Sequence, residues 1–192
     1  KSDFPKPYFF GKSSMDNSKV SPKGNFITFR LREETEVKSE QMEIFVTVDG
    51  YNKPKDTKSK VSINNFVNTK FGIYNVAKDS VYVVNFSSLS HIQDIPEYYK
   101  SYESNKNLEK KDKLIIAQAP VYNRDGSYAI VEIRSQDNKD RWLVNLNLET
   151  GTFKEIDHQH DEAWIGGPGI PSYAFSSGTL GFLADNETIY FQ

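Results

Sequence analysis

Four residues in a run of five carry the densest cluster of reactive groups in the chain: His158, His160, Asp161 and Glu162. On an extended backbone, alternate residues share a face, so His158 and His160 point the same way and a nearby carboxylate could complete a metal site. Structural zinc sites usually draw on two ligand pairs at standard spacing, and this cluster is expected on a loop leaving a strand, where solvated polar residues are common. No metal is therefore expected. The pair Asp161-Glu162 suits two other roles. Paired carboxylates in a walled cavity create a strong negative potential that would hold an ammonium group. They would equally accept backbone or Arg hydrogen bonds that fix a junction between structural units.

Other suggestive residues read more simply. Gly166-Gly167-Pro168-Gly169 has the glycine content of a phosphate loop, but such loops hand over to a helix whose N-terminus faces the anion. Ile170-Pro171-Ser172 and a strand-like pattern follow instead, so a turn between units is expected. Trp142 and Trp164 read as packing anchors, since large aromatics dominate buried area. Arg134 and Arg141 flank a polar loop and read as a solvated pair or as salt bridges between units, each worth little.

Composition narrows the classes. The 192 residues suit one ordinary domain with a substantial core. The balance of 24 basic to 26 acidic residues gives a net charge of −2, with no long basic stripe beyond Lys110-Lys111-Asp112-Lys113. Nucleic-acid binding through phosphate neutralisation has little support. The absence of cysteine excludes a disulfide scaffold and a thiolate zinc site. No apolar run approaches the roughly 20 residues that span a bilayer, so no membrane span is expected. The 13 Phe and 11 Tyr suit half-buried strands. No cofactor motif stands out. The chain begins at Lys1 without an apolar leader, which leads us to expect an excised or processed piece.

The elements that would position these residues are strands. Asp125-Gly126 marks a turn, Tyr128 to Arg134 a strand and Ser135 to Lys139 a polar loop. Arg141 to Leu148 follows as a strand, Glu149-Thr150-Gly151 as a tight turn and Thr152 to Asp157 as a third strand. This succession is the sequence form of a β-propeller blade. Three segments repeat one pattern, a turn closed by Gly or Asn and then an alternating strand: Ser21 to Phe29, Asn123 to Val131 and Leu183 to Phe191. Aligned on Gly24, Gly126 and Asn186, they lie 102 and 60 residues apart, so both intervals carry insertions relative to the roughly 40–50 residues of a blade.

In the first interval Met42 to Val48 reads as a strand, and Asp49 to Val67 as a long polar loop. Phe71 to Val76 and Val81 to Phe86 read as a hairpin around Ala77-Lys78-Asp79-Ser80. Ser87 to Asp112 is a polar excursion with a short helix near Pro96 to Tyr102, and Leu114 to Ala119 a strand leading into the next unit. Lys1 to Gly11, rich in proline and aromatics, is expected to pack on a neighbouring unit. The expected fold is all-β: a partial β-propeller of about three four-stranded antiparallel blades, at about 12–86, 114–160 and 171–192, the last truncated. Open strand edges of such a piece imply edge-to-edge association or a homo-oligomer.

Three stretches carry a family resemblance: Arg134 to Trp142, Asp161 to Gly169 and Asp185 to Gln192. They closely resemble the prolyl oligopeptidase family of serine peptidases, in its dipeptidyl-peptidase-IV-like branch of bacterial exported proteins. Val20 to Leu31 and Ile95 to Tyr99 are similar to the N-terminal region of the same proteins. The resemblance implies an N-terminal propeller preceding an α/β-hydrolase domain with a Ser-Asp-His triad, and a periplasmic or secreted location. No Gly-x-Ser-x-Gly nucleophile elbow occurs here, so no catalytic residue is expected in this chain. In that branch a pair of propeller glutamates binds the substrate's free α-amino group; the comparable residues here are Asp161 and Glu162, flanked by His160 and Ala163-Trp164.

The implied function is a non-catalytic propeller segment that gates and positions a peptide for the downstream peptidase domain. The partners implied are that domain, the remaining blades and the peptide itself. The alternatives are a non-enzymatic exported propeller scaffold and, more distantly, a carbohydrate-binding propeller with Trp142 and Trp164 on exposed faces. Glu187 to Gln192 fits the Glu-x-x-Tyr-x-Gln pattern cut by a potyviral protease, and cleavage there is the expected origin of the end at Gln192, with a tag remnant or a chosen end as the alternative.

Overall fold

The computed structural model describes residues 4–33, 39–60, 66–103, 108–170 and 178–192. In the first half of the chain the strands are β1 (Ser13–Val20), β2 (Phe26–Glu33), β3 (Gln41–Ile44), β4 (Lys53–Asp56), β5 (Thr69–Asn75) and β6 (Ser80–Val83), followed by the short helix α1 (Glu97–Lys100). In the second half they are β7 (Ile115–Ala117), β8 (Val121–Tyr122), β9 (Tyr128–Ser135), β10 (Asp140–Asn147), β11 (Phe153–His160), β12 (Leu180–Phe182) and β13 (Ile189–Phe191). Parts of the expected N-terminal segment, long loop, polar excursion and third unit fall at 1–3, 61–65, 104–107 and 171–177, outside the described residues.

The repeated turns are one structure made three times. Gly24, Gly126 and Asn186 have φ of +71°, +67° and +65°, the left-handed region that glycine and asparagine enter at least cost. In each turn the N–H of that residue returns to the carbonyl three residues back, on Ser21, Asn123 or Leu183, at 2.8–3.0 Å. The N–H of each of those three residues then takes the carbonyl of Phe26, Tyr128 or Thr188, at 2.9, 3.0 and 2.7 Å. The turns also touch one another. Lys23 Nζ lies 2.8 Å from Asp125, and Asn186 Nδ2 donates to the same carboxylate at 3.0 Å. Equivalent turns of successive units therefore meet at one end of the molecule, as expected of a repeat architecture.

The first two turns feed the middle strands of antiparallel sheets. The first sheet runs β1-β2-β5-β6, and the second runs β11-β10-β9-β7 with β8 paired to another stretch of β9. The second therefore has five strands, where four were expected. β12 and β13 pair as a third sheet, and β3 and β4 form a separate hairpin. The architecture is an all-β partial propeller.

Alternation along β9 and β10 explains how the sheets stack. Ala129, Val131, Ile133, Trp142, Val144 and Leu146 bury one face against Phe26, Phe71 and Ile73 of the first sheet and apolar residues at Val84, Phe86, Leu89 and Ile92. On the opposite face Ile130 and Leu143 pack against Leu180, with Ile156, Phe182 and Ile189 around them. The second sheet is thus a middle layer, and each fully buried aliphatic side chain contributes about 1.5–3 kcal/mol. Polar stitches join the layers. Arg30, bidentate on Asp16 at 2.7 and 2.9 Å, reaches the carbonyl of Ala117, and Thr28 Oγ1 meets Tyr122 Oη at 2.6 Å.

Burial of both faces decides against the solvated alternative for Arg134 and Arg141 and makes them ion-paired within one sheet. Neither is solvated. Glu132 is fully buried and receives Arg134 Nε at 2.8 Å on one oxygen and Arg141 Nε at 3.0 Å on the other. Arg141 also donates to Gln159 Oε1 at 3.1 Å and to the Gln192 carbonyl at 3.0 Å, which ties the third sheet to the second. The face that carries these charges is the one the third sheet covers.

Several strands depart from the sequence reading. The strand expected over Met42 to Val48 is only β3, and it pairs with β4 inside the stretch expected to be loop. β1 is a polar edge strand with a bulge between Asp16 and Lys19, where Asn17 has φ of +55°. The expected N-terminal packing is present: Phe10 lies 5.4 Å from Phe29, ring to ring, on the outer face of the first sheet.

Phe29 sits opposite Gly72, and its ring covers that glycine so closely that a Cβ there would overlap the ring carbons. Gly72→Ala should therefore destabilise the chain by about 1–3 kcal/mol through overpacking. In a Phe29→Ala background the same change should cost little, because the clashing ring is gone. Urea unfolding of the four proteins checks this; equal penalties in both backgrounds would show that the ring is not the cause. Glu132→Ala should cost about 3–5 kcal/mol in the same assay, since it strands buried guanidinium groups.

Candidate functional site

The His-rich cluster lies on a strand, not on a loop. β11 continues three residues past the expected end at Asp157, so that His158 pairs with Trp142 and His160 with Asp140. The side on which the imidazoles project depends on a β-bulge. Leu143 pairs with Asp157 and Val144 with Glu155, which leaves Ile156 as the extra residue. Simple alternation from Phe153 and Glu155 would send His158 and His160 to the opposite face. The bulge returns them to the face of Phe153, Glu155 and Trp142.

On that face they meet Asp140, whose side chain is only 1% exposed. Its Oδ1 is 2.9 Å from His158 Nε2 and 2.8 Å from His160 Nδ1, and its Oδ2 pairs with the Lys113 ammonium. The polar excursion after β6 closes over the site. His91 stacks on His158 at 4.9 Å, and His158 stacks on Trp142 at 5.2 Å. Trp142 Nε1 donates to the Ser90 carbonyl at 2.8 Å, while the Ser90 N–H donates to Glu155 at 2.8 Å. Between the excursion and the sheet lies a cavity of about 540 Å³, walled by His91, α1 and Lys113 on one side and by Asp140, His160 and Glu162 on the other.

The adjacent carboxylates do different things. Asp161 Oδ1 accepts the N–H groups of Ala163 at 2.7 Å and Trp164 at 2.9 Å, which fixes the turn after β11. Those bonds, from Trp164 and then Ala163, hold its carboxyl below the usual range. Glu162 lines the cavity, half-exposed, with Oε1 3.3 Å from His160 Nε2. Its backbone carbonyl accepts the Lys139 ammonium, which also lies 5.3 Å from the Tyr98 ring centroid. Among the described residues no group of three or more His, Asp or Glu is arranged to hold a metal ion.

The tryptophans separate. Trp142 is fully buried as an anchor, but Trp164 is 67% exposed on the turn after β11. The sequence reading missed His91, Lys113 and Asp140. Asp140 had a legible signal, since it shares the face of Trp142 two residues on. His91 and Lys113 had none, because they arrive from a segment with no periodicity.

Charge at the site is set by neighbours. Burial pushes the Asp140 carboxyl up, but Lys113, His158 and His160 outweigh it and hold it below its usual value. Burial likewise opposes charge on His160, yet Asp140 and Glu162 prevail and raise it above the ordinary imidazole value.

With this geometry in view, the comparisons with known proteins bear on the fold. No family model and no curated relative matches the chain. Among solved structures, a protein assigned as a dipeptidyl aminopeptidase IV from Bacteroides ovatus superposes on 91% of this chain and 20% of its own, with a TM-score of 0.53 and 16% identity. The two share a fold. A dipeptidyl peptidase 4 from Porphyromonas gingivalis is matched over 77% of this chain and 18% of its own, at 11% identity and a TM-score of 0.49. The chain thus spans about a fifth of the length of either structure. Among the described residues no helix is long and apolar enough to cross a membrane.

The pKa directions fix a pH window. Asp140 is held below its ordinary value, so its contribution to stability is present above about pH 4 and is lost as pH falls through the folded value. His160 is raised, so its contribution is complete below about pH 6.5 and is lost as pH rises through the folded value. His160→Gln should therefore lower the urea midpoint at about pH 5 and lower it much less at about pH 8.5. An equal loss at both would remove protonated His160 from the account.

Proposed function

We propose that this chain is part of the propeller of a dipeptidyl-peptidase-IV-like serine peptidase, and that it gates and positions peptides for a Ser-Asp-His hydrolase domain of the same parent. The observation that carries the reading is Glu162 on the wall of a cavity of about 540 Å³, in a fold shared with a dipeptidyl aminopeptidase IV. A propeller over an active site excludes folded substrates, and binding energy taken up far from the scissile bond orients the peptide. In this reading Glu162 accepts the substrate's α-ammonium group, and Asp161 holds the turn that presents it. The hydrolase domain and the remaining blades are the partners in the parent, and the location is periplasmic or secreted.

The test is calorimetric titration of the chain with short peptides bearing a free or an acetylated N-terminus. Free-amine peptides should bind at least about tenfold more tightly, the worth of one charge-assisted hydrogen bond. Glu162→Gln should abolish that preference. Equal binding of the two peptide sets would overturn the reading. The chain alone should release no chromophore from a dipeptide amide.

A further inference from the structure

We infer that His160 is a proton-operated gate on Glu162: as imidazolium it occupies the carboxylate, and as neutral imidazole it releases that carboxylate into the cavity. The inference rests on the amine-binding reading of Glu162 and adds its regulation.

The geometry places one imidazole between two carboxylates. Nδ1 is 2.8 Å from Asp140 Oδ1 and Nε2 is 3.3 Å from Glu162 Oε1. A carboxylate only accepts, and a neutral imidazole has one N–H, so only the imidazolium satisfies both partners. The two carboxylates are not equivalent. The Asp140 side chain is 1% exposed, so the bond His160 makes to it is the harder one to replace from solvent, whereas the Glu162 side chain is 51% exposed and can turn to water. When His160 loses a proton, it is the Nε2 proton that leaves. The Nε2 lone pair then faces a carboxylate oxygen, the contact becomes repulsive, and Glu162 is free for another cation.

Other charges face the same carboxylates: Lys139 donates to the Glu162 backbone carbonyl, and Lys100 feels the Glu162 charge across the cavity. His158, beside His160 on β11, shares Asp140 Oδ1 and stacks between Trp142 and His91. Across the cavity His91 is bonded to Asp94, Lys100 to Glu97 and Lys113 to Asp140; Lys110 completes the charged lining. The raised pKa of His160, where Asp140 and Glu162 overcome the opposing effect of burial, sets release above about pH 6.5.

Two measurements test the gate. The first is calorimetric titration of trialanine at about pH 5.5 and pH 7.5, the upper limit keeping most of the peptide α-amine charged. Affinity of the unsubstituted chain should rise about two- to fivefold between the two, the range of an exposed ion pair. His160→Gln should bind equally at both, and Glu162→Gln weakly at both. An unchanged pH ratio in His160→Gln overturns the gate. The second is the His160 titration followed by NMR without ligand, in which Glu162→Gln should lower the His160 pKa. An unaltered pKa overturns the gate whatever the affinities show. A lowered pKa with unimpaired peptide binding in Glu162→Gln upholds the ion pair and sinks the amine-binding reading instead.

Discussion

Burial of β9 and β10 on both faces is the constraint on which the rest of the molecule depends. A middle sheet has little solvent side, so each carboxylate it buries must find its partner within the protein. On one face that residue is Glu132, and Arg134 and Arg141 converge on it. On the other it is Asp140, which collects Lys113, His158 and His160. The first network ties down the third sheet through Gln192. The second ties down the long excursion between β6 and β7 and, in doing so, walls a cavity.

The cavity is thus a product of packing. Asp140 could not remain ionised beneath a covering segment without donors, and its donors are the groups that shape the cavity. The bulge at Ile156 is the geometric step that makes this arrangement accessible, because it turns His158 and His160 to the side on which Asp140 is buried. Asp161 contributes one step further out by bonding the N–H groups of Ala163 and Trp164, which fixes the turn and leaves Glu162 at the cavity wall.

The likeness to a dipeptidyl aminopeptidase IV is one of fold, at 16% identity. Under the proposed function, a half-exposed glutamate joined to a buried carboxylate through one imidazole would be a binding group whose availability depends on protonation. The sequence cluster that first suggested a metal site has a different logic in three dimensions. Both imidazoles turn to one oxygen of Asp140, so the carboxylate takes the central position a cation would hold.

Much of the architecture was legible in the chain itself. The turn pattern at Gly24, Gly126 and Asn186 determined three equivalent strand starts, because positive φ is a local property that glycine and asparagine supply without tertiary help. Alternating apolar residues determined β9, β10, β5 and β13 for the same local reason. The polar strands β1 and β4 left no such trace, since an edge strand needs no apolar face. The site was legible only in part: Glu162 and the shared face of His158 and His160 follow from spacing. Which face they take, which arginines are buried and which segment closes the cavity were decided by tertiary structure alone. A bulge inverts alternation, burial depends on what covers a sheet, and contacts between residues far apart in sequence leave no period to read.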